Sequence, residues 1–486
     1  MSREIVVVGC GVGGLSAAIH LRLRGFDVLA LEKGPAVGGK ACPIERDGFR
    51  LDPGPSIIIL TCIYDELFRE AGRNPANYLR FRRLDPISRV FFPGLGAVDL
   101  PSDLDRTLEL LGDIAPEDVA PLREVVEKLD QVGPSIRKTI FARPYDRPWQ
   151  LLDPGLVQVA RRFDVRKSYK ELVDGWFRSP LLRSFFYGFP SYGGQTYDSK
   201  AAGALMIPYL MLREGVWWPE GGVGAIPAAF ERLARELGVE FRTGVEVSGL
   251  LVEGGVARGV RTASGETIRA DGVVSNLDRH TVGAWLGESL QGDPSLSYFT
   301  LHWGLRRRLP GLGHHTLMIP TRFEEGFAQL YRESKFPDAP IVYLNATAET
   351  DPNTAPPGCE NLFAVVTSPA QQPHIDWEAE AGEFRSRTLT TLREHGCEID
   401  PADIVFERRQ DPNYFAAAHG NFKGSLYGRH ERDRLWGLFP PSNEHPKCRN
   451  LFFCGGSVQP GAGLPMVTLS GRFAAVKAAR RLGARR

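Results

Sequence analysis

The sequence predicts an α/β protein: a Rossmann-type dinucleotide-binding domain assembled from discontinuous segments, joined to an antiparallel-sheet substrate domain and a helical cover. Three observations predict it. Residues 5–33 run from an apolar strand through a glycine-rich turn and a helical stretch to a second strand ending on an acid. Residues 449–482 repeat the order strand, glycines, helix. Between these blocks lie a stretch with helical patterning and a second insert, whose stretch 298–320 opens with the period-two alternation of a strand.

Each element of the opening has a physical reason. Ile5 to Val8 are β-branched and unbroken, which suits a parallel strand buried on both faces. Gly9, Gly11 and Gly14 then form G-x-G-x-x-G, with Gly13 as a fourth glycine, and Leu15 to Leu23 carry apolar residues at helical spacing. The first glycine allows a tight turn, the second lets the backbone approach a pyrophosphate, and the third lets helix and sheet pack closely. The helix start supplies free N–H groups and partial positive charge for phosphates. A second strand, Asp27 to Leu31, delivers Glu32, placed to hydrogen-bond a ribose hydroxyl, with Lys33 beside it among the candidate cofactor contacts. An acid there repels a 2′-phosphate, so NADP is disfavoured, while FAD and NAD remain.

Composition narrows the class. A chain of 486 residues exceeds the size at which single cores stop growing, so at least two lobes are expected. Lys and Arg total 59 against 58 for Asp and Glu, which argues against nucleic acid as a partner. Seven cysteines show no C-x-x-C and no zinc spacing, which fits a reduced, cytoplasmic protein without a metal. The first strand begins too near Met1 for a signal peptide, and no apolar run is long enough to span a bilayer, so any membrane contact is expected to be peripheral.

The stretch GPAVGGKACPIERDGFRLDPGPS, residues 34–56, separates FAD from NAD. Gly38 and Gly39 permit close approach to a diphosphate, Lys40 supplies a cation, and the stretch ends Asp52-x-Gly54-Pro55-Ser56. It resembles the second flavin-binding motif of the amine-oxidase-like FAD superfamily, and its ending is similar to that of bacterial carotenoid desaturases of the phytoene-desaturase type. That family usually has arginine where this chain has Lys40, which keeps the charge and loses the planar fork.

Two further blocks carry the resemblance. Residues 215–227, GVWWPEGGVGAIP, precede a helical run and glycine-turned strand pairs; the resemblance implies that the backbone at Val245 contacts the adenine and that Asn276 ends a strand near the nucleotide. Residues 449–482 hold Gly455-Gly456, a second glycine cluster, Pro465 and a helix, and the resemblance places the Met466 and Val467 amides near the flavin O2. Where many relatives carry His-Pro-Gly, this chain has Gln459-Pro460-Gly461, so no histidine role is assigned there. The implied division is an FAD-binding domain of 1–90, 215–285 and 445–486, a helical, membrane-facing cover of 91–214, and a substrate domain of 286–444.

Residues 419–457, with Tyr427-Gly428 ahead of an aromatic-proline stretch, and the Gly463-Leu-Pro-Met run look closest to the hydroxycarotenoid 3,4-desaturase branch. The implied activity is oxidation of an apolar polyene in a long tunnel. A substrate C–H delivers hydride to flavin N5, the neighbouring carbon loses a proton, and oxygen or a quinone takes the electrons. Trp217, Trp218, Tyr298, Trp303 and Tyr427 are candidates to line that tunnel, although large aromatics also fill cores. The apolar run 201–212, interrupted by Pro208, reads either as a segment dipping into a bilayer beside the tunnel mouth or as a buried helix. His314-His315 reads as a turn with solvated histidines. A saturase running the reaction backwards, a flavin amine oxidase and a non-redox lipid-binding escort of the same fold stay open as alternatives.

Overall fold

The computed structural model describes residues 3–146, 148–164, 166–200, 202–288, 292–430 and 440–483. Strand β1 (Glu4–Val8) is buried along Ile5 to Val8, as an unbroken β-branched run requires, and leads through the glycine turn into helix α1 (Val12–Leu23) and strand β2 (Asp27–Glu32). These elements centre a five-stranded parallel sheet whose order is Leu451–Phe453, Gly272–Ser275, β1, β2, Glu240–Thr243. Its register matters more than its composition. Val8 pairs with Ser275 and Leu31, and Ser275 pairs with Phe453, so Gly9, Asn276 and Cys454 leave the sheet side by side at its carboxyl edge. Open parallel sheets bind their ligands at that edge.

Helix α1 lies against the long C-terminal helix, Leu464–Leu482, and small residues set the contact. A Cβ on Gly471 would come within 2.5 Å of the Gly13 carbonyl and 2.6 Å of the Ala17 nitrogen, while the Ser16 hydroxyl donates to the Thr468 carbonyl at 2.6 Å. Two helix starts are thereby held together over one edge of the sheet.

The second lobe is a seven-stranded sheet in the order Ile404–Gln410, Ser297–Leu305, Glu360–Ser368, Val342–Asn345, His315–Met318, Ser88–Phe92, Gly96–Leu100. It departs from the sequence expectation in two respects. The sheet is not wholly antiparallel, because His315–Met318 pairs in parallel with Ser88–Phe92. Its last hairpin also comes from residues 88–100, so a boundary at 90/91 falls inside a strand. Helices from Leu104–Ile114 to Met206–Glu214 form the cover. Among the described residues no helix is long and apolar enough to cross a membrane, and all seven cysteines are free.

Within the 201–212 run, Pro208 to Leu212 turn inward and are buried, so the buried-helix reading describes them and the bilayer-dipping reading does not. Burial also overturns the reading of His314-His315 as a solvated turn. Both rings are buried, with His314 Nδ1 against the Thr350 hydroxyl and His315 Nδ1 against the Tyr343 hydroxyl, each at 2.7 Å. Desolvation pulls the pKa of His314 down to about 3 and that of His315 well below the ordinary imidazole value. No cluster of three metal-ligating side chains exists among the described residues.

Candidate active site

A single cavity of 2180 Å³ runs from the carboxyl edge of the parallel sheet into the space between the seven-stranded sheet and the helical cover. An ordinary small-molecule site occupies roughly 300–1,000 Å³, so this one has room for a dinucleotide and a second large ligand. Every position that the sequence directs to a cofactor lines it except Gly14. Gly14 serves packing instead, since a Cβ there would sit 2.0 Å from the Gly9 carbonyl oxygen.

The cofactor end is built mainly from backbone. Gly9 takes φ +87°, the left-handed region that a side chain disfavours. A Cβ on Gly11 would meet the Asn276 amide nitrogen at 2.9 Å, and one on Gly13 the Asn276 amide oxygen at 2.7 Å. Asn276 thus wedges between the first and last glycine loops; a Cβ on Gly455 would reach the same amide oxygen at 2.9 Å. The second motif joins this cradle through a bridge between Gly11 and Gly38. Both helix starts, at Gly11 and Gly463, lack a side-chain cap; at the second, Pro465 has no N–H and the Val467 N–H donates to the Gly463 carbonyl at 2.9 Å, so the Leu464 and Met466 amides are the ones left for a ligand.

Glu32 ends β2 with its carboxylate fixed by two amides, accepting from the Cys10 N–H at 2.8 Å and the Gly34 N–H at 2.9 Å. Each oxygen keeps a lone pair for a ribose hydroxyl. The Val245 N–H donates to the Glu32 carbonyl at 2.9 Å, which brings that backbone to the same corner. Lys33 reaches toward the Ala417 carbonyl at 3.5 Å.

The Asp52-x-Gly54-Pro55-Ser56 ending has a structural cause that its spacing did not reveal. Asp52 is buried and accepts from the Val223 N–H at 2.9 Å and the Gly224 N–H at 3.3 Å, clipping the 215–227 block onto the second motif. Burial raises its pKa, and the two amides oppose that rise. A Cβ on Gly54 would lie 2.1 Å from the Lys40 carbonyl oxygen, so Gly54 keeps the turn tight against Lys40.

Charge at this end is positive. Burial pulls the Lys40 pKa down to about 8, with Asp278 opposing that shift. Burial first, and then the charges of Lys40, Lys33 and Arg408, pull His419 down to about 3. Three cations around one half-buried imidazole suit an anionic ligand. A diphosphate therefore fits the residues present, and His419, together with Arg408, which no motif pointed to, belongs to its surroundings.

Farther along, the wall turns apolar, with Phe327 and Leu330 from the second insert and Ile207 and Met211 from the cover. Tyr298 and Tyr427 line it, as expected, and their hydroxyls pair at 2.9 Å. Trp217, Trp218 and Trp303 do not. Trp303 is fully buried on the other face of the sheet, with its indole N–H donating to Glu407 at 2.6 Å. Trp218 packs edge-on against His314, and Trp217 donates to the Glu214 carbonyl at 3.1 Å within a two-stranded sheet with Phe81–Arg83. A signal for one correction was present: residues 298 and 303 of one strand differ by an odd number, so their side chains leave opposite faces. The aromatic-proline stretch after Tyr427 lies largely outside the described residues.

Comparison with known proteins agrees with this geometry. Residues 12–479 match the family model for flavin containing amine oxidoreductases. The chain is 35% identical over 483 residues to a zeta-carotene-forming phytoene desaturase of Myxococcus xanthus, covering 97% of this chain and 93% of that one. It is 34% identical to a 4,4'-diapolycopene oxygenase of a Methylomonas species, covering 97% of each. An oxidoreductase structure from Methanosarcina mazei shares the fold at 19% identity, with a TM-score of 0.62 over 96% of this chain and 98% of that chain. With the glycine cradle, the acid at the end of β2 and the match across nearly all of its length in agreement, the chain belongs to the flavin-containing amine oxidoreductase family.

Proposed function

We propose that this protein is an FAD-dependent oxidoreductase that desaturates a long apolar polyene of the carotenoid class. The observation that carries the reading is the continuity of one cavity from the glycine cradle into an apolar chamber. The two curated relatives, both named for acyclic polyenes, support that substrate class. Bound FAD supplies a hydride acceptor. The residues of this chain do the rest: the amides at Gly11 and Gly463, Glu32 and Lys40 hold the dinucleotide, and the chamber wall binds the chain by apolar burial, aligns it and keeps water away. A cation developing beside a conjugated chain is delocalised, so no strong base is needed for the proton that follows.

The electron acceptor in this reading is oxygen or a quinone, because no second G-x-G-x-x-G follows a later strand. Substrate arrives from a membrane surface to which the protein attaches peripherally. Support for such contact lies in the cover segment 149–162, where Trp149 is 59% and Leu152 is 73% exposed. Arg161 and Arg162 close the Pro154–Arg162 helix, and Leu156 and Ala160 of the same helix line the cavity. Flotation with liposomes that survives high salt is the expected outcome, and its loss in Trp149→Ser/Leu152→Ser would place the contact there.

The activity test is incubation of the flavin-loaded protein with a panel of acyclic carotenoids in liposomes. Desaturation lengthens the conjugated system and moves product absorption to longer wavelength. A shift to shorter wavelength would identify a saturase, and binding without any spectral change would identify an escort.

A further inference from the structure

A hydrocarbon chain offers no hydrogen-bond acceptor, yet the chamber wall carries a group of hydroxyls. Tyr192, Tyr298, Tyr343, Tyr427 and Ser56 all line the cavity. A Cβ on Gly194 would lie 2.4 Å from the Tyr427 ring, and the Leu296 N–H donates to the Gly194 carbonyl at 3.3 Å, so the turn that carries Tyr192 packs against the loop of Tyr427 and the start of the strand of Tyr298. Burial raises the pKa of each, so all four are neutral donors near pH 7.

Counting hydroxyl hydrogens shows which are committed. The Ser56 and Tyr343 hydroxyls lie 2.7 Å apart, and the Tyr343 hydroxyl lies 2.7 Å from His315 Nδ1, so both hydroxyls have partners within the protein. In the Tyr298–Tyr427 pair one hydrogen bridges the oxygens and one is left over. The Tyr192 hydroxyl makes no hydrogen bond among the described residues, and its ring stacks on Phe189. Two phenol hydrogens on half-buried residues of the cavity wall thus have no partner from the protein among the described residues.

We infer that Tyr192 and the Tyr298–Tyr427 pair form a polar station that binds an oxygen atom carried by the polyene, a hydroxyl or a carbonyl, by donating two hydrogen bonds to its lone pairs. The station fixes where along the chamber the chain stops, and hence which carbons meet the cofactor. This rests on the polyene reading above and adds the chemistry of the substrate's functional group.

The test measures dissociation constants, by quenching of tryptophan fluorescence in flavin-loaded protein, for three acyclic polyenes of one chain length. One is a hydrocarbon, one bears a terminal hydroxyl and one a terminal aldehyde, all delivered from the same neutral liposomes. An oxygenated chain should bind about tenfold tighter than the hydrocarbon, and the tighter of the two identifies the group the station takes. Tyr192→Phe and Tyr427→Phe, which keep the rings, should each lower that ratio about threefold, and the double variant should bring it near one. Full flavin content in the variants verifies the fold. Equal binding of all three polyenes by the parent protein overturns the station while leaving the polyene reading intact. A ratio unchanged in the double variant also overturns it, and a flavin spectrum altered there at the same time would assign the hydroxyls to the cofactor. Failure to bind any polyene overturns both.

Discussion

The two ends of the cavity are made of different materials. At the cofactor end the contacts are backbone amides, glycine turns and uncapped helix starts, all set by the register of one parallel sheet. In the chamber they are side chains, brought by the cover, the second insert and the hairpin region. The first end tolerates almost no added atom, because a Cβ at Gly11, Gly13 or Gly455 would fall within 3 Å of Asn276. The second is a wide apolar volume in which single side chains tune the fit. A cofactor shared across a family selects the first kind of construction, and a variable substrate suits the second.

Four substitutions sharpen that contrast, taken from the largest expected effect to the smallest. Gly11→Val puts a branched side chain against Asn276 and into pyrophosphate space, and should lower flavin affinity by at least about a hundredfold. Absorbance after gel filtration reads it, and a fully yellow variant would show that the cradle is elsewhere. Asp52→Ala leaves the Val223 and Gly224 amides without their partner, at a cost of about 2–3 kcal/mol of stability in urea unfolding.

Lys40 gives a pH test. Its pKa in the free protein is pulled down to about 8 by burial, and a bound diphosphate raises it again. Binding therefore takes up a proton above pH 8, so flavin affinity is full below that pH and declines as pH rises through it. Lys40→Gln should bind flavin roughly tenfold more weakly at pH 7 and lose the decline, since one unit of pKa corresponds to about tenfold in affinity. Titration of the flavin-free protein between pH 7 and 10 measures both. Trp217→Phe, at a site outside the cavity, removes the hydrogen bond to the Glu214 carbonyl from a partly buried indole and should cost about 1 kcal/mol of stability while leaving polyene affinity unchanged. A large change in polyene affinity from that variant would return Trp217 to the wall.

The same contrast explains what could be read from sequence. Gly9, Gly11 and Glu32 act through local backbone geometry, so their spacing alone carries the information. Gly38, Gly39, Gly455 and Gly456 stand in glycine turns that spacing makes visible, family resemblance supplies the pairing of segments, and all four line the cavity. Asp52 stood inside a recognised motif, but its partners lie some 170 positions away, so its role as a clip was invisible. The chamber was harder still. Tyr192, Tyr298, Tyr343 and Tyr427 sit in a short helical turn, two strands and a loop, and nothing in their spacing says that they converge. Strand parity separates Tyr298 from Trp303, a signal that reading both as wall candidates leaves unused, and His315, expected in a solvated turn, opens a strand paired with Val342–Asn345 and sets its Nδ1 against Tyr343.

The most direct test of the account is to mix the flavin-loaded protein with an acyclic polyene in the absence of air and follow both chromophores at once. Oxidation of the polyene predicts bleaching of the yellow flavin band together with a polyene band displaced to longer wavelength, in equal molar amounts. Bleaching by a primary amine, with no response to any polyene, would contradict it.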